Sequence, residues 1–141
     1  MNWTDGPSMN HGKYAHGCAT IPATEDQEAQ IIVMGGTTYN HYPKGDNTTI
    51  SLNLSSLKWS IIGETPLNRI HGHTTTNSNS PEYRVYSIGG LYYVPDEEDT
   101  FLTAIYGLNH SNKWELVGNL SQGRVYHTSL NIPLQDIPGC S

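Results

Sequence analysis

Two stretches decide the fold, Ile31-Ile32-Val33-Met34-Gly35-Gly36 and Val85-Tyr86-Ser87-Ile88-Gly89-Gly90. Each is a short apolar run stopped by two glycines. Trp59 and Arg69 follow the first and Trp114 and Arg124 the second, the basic residue standing ten positions after its tryptophan. The glycine pairs lie 54 residues apart and the tryptophans 55. A partial copy opens the chain with Trp3 and, ten residues on, Lys13. Self-similarity at a fixed period of this size marks a repeat array. The array is expected to be cut at both ends.

Each copy reads as four short strands. The first follows a histidine: Cys18 to Ala23 after His16, His73 to Asn77, and Thr128 to Ile132 after His127. The second is the run into the glycines, Gln30 to Met34 and Tyr83 to Ile88. Its β-branched and aromatic residues suit a strand, and its continuous apolar character suits burial on both faces. Loops over Thr37 to Asn47 and Leu91 to Thr100 lead to a third, alternating strand, Thr48 to Leu54 and Phe101 to Tyr106. A turn rich in Asn and Ser leads to the fourth, Lys58 to Ile62 and Lys113 to Val117, which Gly63 and Gly118 end. No segment holds a helical period. Short strands at this spacing mean an all-β chain, and four strands in about 50 residues mean a propeller blade.

The ordered set of apolar run, Gly-Gly, tryptophan and Arg-x-x-His resembles the kelch repeat, and the resemblance covers Trp3 to about Ile132. It implies a partial β-propeller with two complete four-stranded antiparallel blades and single flanking strands. Residues 1–15 would be the fourth strand and connection of a preceding blade, 16–63 one blade, 64–72 a connection and 73–118 a second blade. Residues 119–132 would be a connection and the first strand of a further blade, and 133–141 a C-terminal tail. In such repeats Gly35, Gly36, Gly89 and Gly90 end the second strand. Trp59 and Trp114 pack between blades, and Arg69 and Arg124 brace neighbours through backbone carbonyls. Lys13 departs from the pattern, since an ammonium lacks the planar guanidinium fork. The step from Arg69 to His73 is also one residue longer than its counterparts. Two and a half blades do not close a ring, so two sheet faces are expected to stand open, with further blades supplied by missing chain.

A formal charge of −6 and no basic cluster argue against a nucleic-acid partner. No apolar stretch is long enough to span a bilayer. The first residues lack the basic and apolar segments of a signal peptide, which leaves localisation open for a chain that begins inside a repeat. Cys18 and Cys140 fit no zinc spacing. A disulfide between them, pairing elsewhere and free thiols all remain open.

Seven histidines raise the question of a metal, with His71 and His73 the best local pair. However, His16, His73 and His127 share one repeat position, which points to structure, and no metal or other cofactor is expected. Nothing resembles a nucleophile elbow, and Asp96-Glu97-Glu98-Asp99 lacks the ligand spacing of a calcium loop. No catalytic residue is assigned. The copies differ most in the loops after the glycines, which hold four of the nine tyrosines. Tyrosine on a loop offers rigid contact surface, and kelch propellers dock partners at this end of the ring. Tyr39, His41, Tyr42, Lys44, Tyr92, Tyr93, Asp96 and Glu97 are therefore the candidates for binding a protein partner. Two other readings stand beside this non-catalytic one: a fragment of a propeller enzyme of the galactose-oxidase type, and a secreted glycosylated ectodomain. The second draws on five Asn-x-Ser/Thr sequons, at Asn2, Asn47, Asn53, Asn109 and Asn119.

Overall fold

The computed structural model describes residues 2–38, 47–66, 70–71, 73–78, 80–92 and 98–130. Strands β1 (Gly17–Ile21), β2 (Gln30–Met34), β3 (Thr48–Asn53) and β4 (Lys58–Glu64) form an antiparallel sheet in chain order. A second four-stranded antiparallel sheet repeats this order with β6 (Thr74–Asn77), β7 (Tyr83–Ile88), β10 (Ala104–Asn109) and β11 (Trp114–Asn119). Three two-residue strands, β5 (Ile70–His71), β8 (Leu91–Tyr92) and β9 (Thr100–Phe101), make a small third sheet. The described residues contain no helix.

The core lies between the two large sheets. Gly17, Ala19 and Ile21 of β1 are buried while Cys18 and Thr20 are exposed, the two-residue period of a strand with one covered face. Ala19 pairs with Ile32, and Ile32 with Ser51, so this row shares one face of the first sheet. In the second sheet Val85 pairs with Leu108 and Leu108 with Trp114. Ala19, Ile21 and Ile32 pack on Val85 and Leu108, with Ile62 and Trp114 against the cluster. At the glycine of β1 the sheets touch: a Cβ on Gly17 would collide with the His73 ring and the Thr75 side chain.

The β3–β4 and β10–β11 hairpins are built alike. Asn53 Oδ1 accepts the Ser55 and Ser56 amides at 2.9 and 2.8 Å, and Asn109 Oδ1 accepts those of Ser111 and Lys113 at 2.9 and 3.0 Å. An asparagine side chain that mimics a turn explains its place there. Leu57 and Asn112 take the left-handed conformation, at φ 55° and 61°, just before the returning strand.

Four expectations need correcting. Gly63 and Gly118 do not end the fourth strands; they lie inside β4 and β11 at equivalent bulges. Pairing steps from Thr49↔Gly63 to Ile50↔Ile61, and from Ile105↔Gly118 to Tyr106↔Leu116, leaving Ile62 and Val117 as the extra residues. Glycine suits the local bend that a bulge imposes. The third strand of the second copy begins at Ala104 rather than Phe101, because Thr100–Phe101 pairs with Leu91–Tyr92 instead. The stretch from Leu91 to Thr100 is thus bounded at both ends by short paired strands. Lastly, residues around Trp3 form no strand, and Trp3 is fully exposed. Thr128 to Leu130 form none either. A strand needs a neighbour to complete its ladder of hydrogen bonds, and no described segment pairs with either one.

Candidate binding surface

Both glycine pairs reach the same end of the two sheets, and all four glycines have positive φ: 61° and 75° at Gly35 and Gly36, 60° and 111° at Gly89 and Gly90. Left-handed backbone is open to glycine without the penalty a Cβ brings. Close approach adds a second reason. A Cβ on Gly36 would stand 2.5 Å from the Tyr14 carbonyl oxygen and 2.9 Å from His16 Cβ. One on Gly89 would stand 2.7 Å from the Arg124 carbonyl oxygen and 3.0 Å from the His127 ring.

The connecting segments lie across these pairs. Tyr14 and Thr37 exchange two backbone hydrogen bonds of 3.0 Å, and Lys13 Nζ donates to the Gly35 carbonyl at 3.5 Å and to Thr48 Oγ1 at 3.1 Å. The lysine thus reaches a backbone carbonyl despite its different head group. In the second sheet Gly90 N–H donates to the Arg124 carbonyl at 2.7 Å, while Arg124 N–H donates to Leu102 at 3.3 Å. Arg124 is joined to the pair through its main chain, and its side chain is exposed. Arg69 lies outside the described residues.

The tryptophans have different partners. Trp114 Nε1 donates to Thr49 Oγ1 at 2.9 Å, crossing from the outer strand of the second sheet to β3 of the first. Trp59 Nε1 donates to the Pro7 carbonyl at 2.9 Å, so the N-terminal segment meets the edge of its indole.

Of the eight candidate contact residues, only Tyr92 is described. It sits half-buried in β8, paired with Ile70 and Thr100. Tyr39, His41, Tyr42, Lys44, Tyr93, Asp96 and Glu97 lie outside the described residues. Three aromatic residues there were not legible as candidates: Tyr14, half exposed, Phe101, 57% exposed, and Tyr126, 74% exposed. Tyr126 has φ 52°, and Ala15, at the same repeat position before its histidine, has φ 53°. The sequence signal was present, because the third residue at this position is Gly72. A bulky side chain in left-handed backbone costs about 1 kcal/mol. Tyr126→Gly is therefore expected to hold or raise stability by up to about 0.5 kcal/mol once the extra freedom of the unfolded glycine is counted. A lower urea midpoint for this variant would show that the ring packs in the folded state.

The histidines at this end favour their neutral forms. Burial is the main cause at His16, where a backbone hydrogen bond at Lys13 opposes it and the Lys13 charge assists. At His127 burial again leads, with the Arg124 charge adding to it. Both folded-state pKa values lie below the unfolded one, so the unfolded chain binds more protons as pH falls. Their contribution is complete above about pH 6.5 and is lost as pH drops towards the folded values. Urea midpoints are expected to fall between about pH 7.5 and about pH 5.5. A His16→Gln, His127→Gln double variant should flatten that slope, and an unchanged slope would remove these residues as its source.

No protein-family model matches the chain, and no curated protein matches it. Among solved structures 91 chains match. One is YjhT, a β-propeller protein, at TM-score 0.67 and 16% identity over 86% of this chain. These are β-propeller blades. The chain spans 36% of the YjhT chain, and at this identity the likeness carries the fold alone. In this arrangement β1 and β6, the first strand of each blade, approach each other, and β4 and β11 are the opposite edges of their sheets.

Proposed function

We propose that the chain is a kelch-type, non-catalytic module that binds a protein partner through the glycine-pair end of its blades. The observation that carries this reading is where the copies agree and where they diverge. Glycine pairs, bulges, Asx turns and blade-facing rows recur in both copies, and each recurrence has a packing reason. The loops beyond the glycines differ in sequence and hold Tyr39, His41, Tyr42 and Lys44 in one copy and Tyr92, Tyr93, Asp96 and Glu97 in the other. The connections at the same end leave Tyr14, Phe101 and Tyr126 open to solvent. Exposed aromatic residues on one end of the blades suit a protein interface.

The test compares two full-chain variants as bait for partners from the native source. A Tyr42→Ser, Tyr93→Ser variant is expected to lose a partner that wild type retains. A Leu54→Ser, His110→Ser variant, altered at the opposite hairpin end, should keep it. Retention of the same partner by both variants would remove the glycine-pair end as the binding surface.

A further inference from the structure

Nothing in the packing of the blades accounts for all five sequons. Asn53 and Asn109 are explained by their turns, and at Asn109 the side-chain nitrogen also donates to Glu115 Oε1 at 2.7 Å. The sequon at Asn47 uses Thr49 as its hydroxyl residue, and that hydroxyl is buried under Trp114. Asn119 is different. It closes β11, an edge strand of its sheet, and is exposed together with Ser121. Its oxygen Oδ1 accepts a hydrogen bond from Thr103 Oγ1 at 3.2 Å, which fixes the amide by its carbonyl and leaves Nδ2 to solvent. The Leu120 amide donates to the Thr103 carbonyl at 2.7 Å, so the next residue is held as well. No turn requires an asparagine here.

We infer that Asn119 is an N-linked glycan acceptor, with Ser121 as its hydroxyl residue. Transfer forms a bond from Asn119 Nδ2 to the anomeric carbon of a lipid-linked oligosaccharide; the lipid pyrophosphate leaves and one amide proton is released. The product keeps Oδ1 as an acceptor, so the Thr103 contact survives modification. The sugar would stand beside the edge of β11 that no described strand pairs with, away from the core between the blades. A bulky polar group there also obstructs another strand from pairing with that edge. The inference places the chain in a compartment where such transfer occurs, and it is independent of the partner-binding reading.

Protein from the native source, denatured and treated with N-glycosidase in heavy-oxygen water, converts each formerly glycosylated asparagine to a labelled aspartate. The peptide carrying Asn119 is expected to hold the label. An unlabelled Asn119 peptide overturns the inference, whatever happens at the other sequons. As a second measurement, the full chain with a secretion leader is expressed in a eukaryotic host. Ser121→Ala should then lose one glycan by intact mass, and an unchanged mass difference on deglycosylation also overturns it.

Discussion

Replacing Trp114 by alanine is expected to cost about 3 kcal/mol of unfolding free energy, towards the low end for tryptophan because the ring is only half-buried. Two losses combine. The indole packs on the cluster of Ala19, Ile21, Ile32, Val85 and Leu108 that joins the blades. Its Nε1 also donates to Thr49, which is fully buried, so the hydroxyl would lose that donor in a place water does not readily reach. Trp59→Ala should cost clearly less, since its indole meets the N-terminal segment at Pro7 rather than a neighbouring sheet. Equilibrium urea unfolding of both variants decides the matter. Equal losses would show that Trp114 is not part of the joint between the blades. Trp114→Phe should recover packing but not the hydrogen bond, leaving a deficit of about 1 kcal/mol.

Gly36→Ala is expected to destabilise by about 3 kcal/mol, again by urea midpoint. About 1–2 kcal/mol comes from placing an L side chain in left-handed backbone. The remainder comes from overpacking, which typically costs about 1–3 kcal/mol. The obstacle here is the Tyr14 carbonyl oxygen at 2.5 Å, a main-chain atom held by its bridge to Thr37, so it cannot swing aside as a side chain tip could. Gly12→Ala supplies the control, because a Cβ there meets nothing within 4 Å. It should stay within about 0.5 kcal/mol of wild type. A tolerated Gly36→Ala would mean that the connection over the glycine pair moves freely.

Much of the fold could be read along the chain. Both second strands, Gln30–Met34 and Tyr83–Ile88, have the expected bounds, since β-branched residues and the following glycines are local signals. The all-β class and the four-stranded blades follow from the same repeat. Edges were harder to place. The alternation of Phe101 to Tyr106 looks like one strand, yet Phe101 belongs to β9 and the long strand starts at Ala104. Pairing with β8 draws off Phe101 together with Thr100, and no property of the stretch itself announces that partner. Gly63 and Gly118 looked like stops because glycine weakens a strand. Their role as bulges depends on the neighbouring strand running past them.

The candidate surface divides in the same way. Its candidate loops were singled out by comparing the copies, on the expectation that function lies where repeats with common joints diverge, and apart from Tyr92 their candidate residues lie outside the described residues. Tyr14, Phe101 and Tyr126 could not be found in this way, since exposure belongs to the fold and not to the residue. Tyr126 was the most accessible of the three to sequence reasoning: glycine at the equivalent position 72 hints at left-handed backbone.

By itself the sequence determined the repeat, the strand count per blade, the glycine pairs and the alternation of the third strand. These depend on periods of two residues and on backbone freedom, which are carried locally. Only the tertiary structure decided what each face meets. Trp59 and Trp114 occupy the same place in their repeats, yet one closes on Pro7 and the other on Thr49 of the neighbouring blade. The physical reason is that burial is a relation between two surfaces: a residue carries its own hydrophobicity and hydrogen-bonding groups along the chain, but its partner is set by whatever the fold brings opposite it.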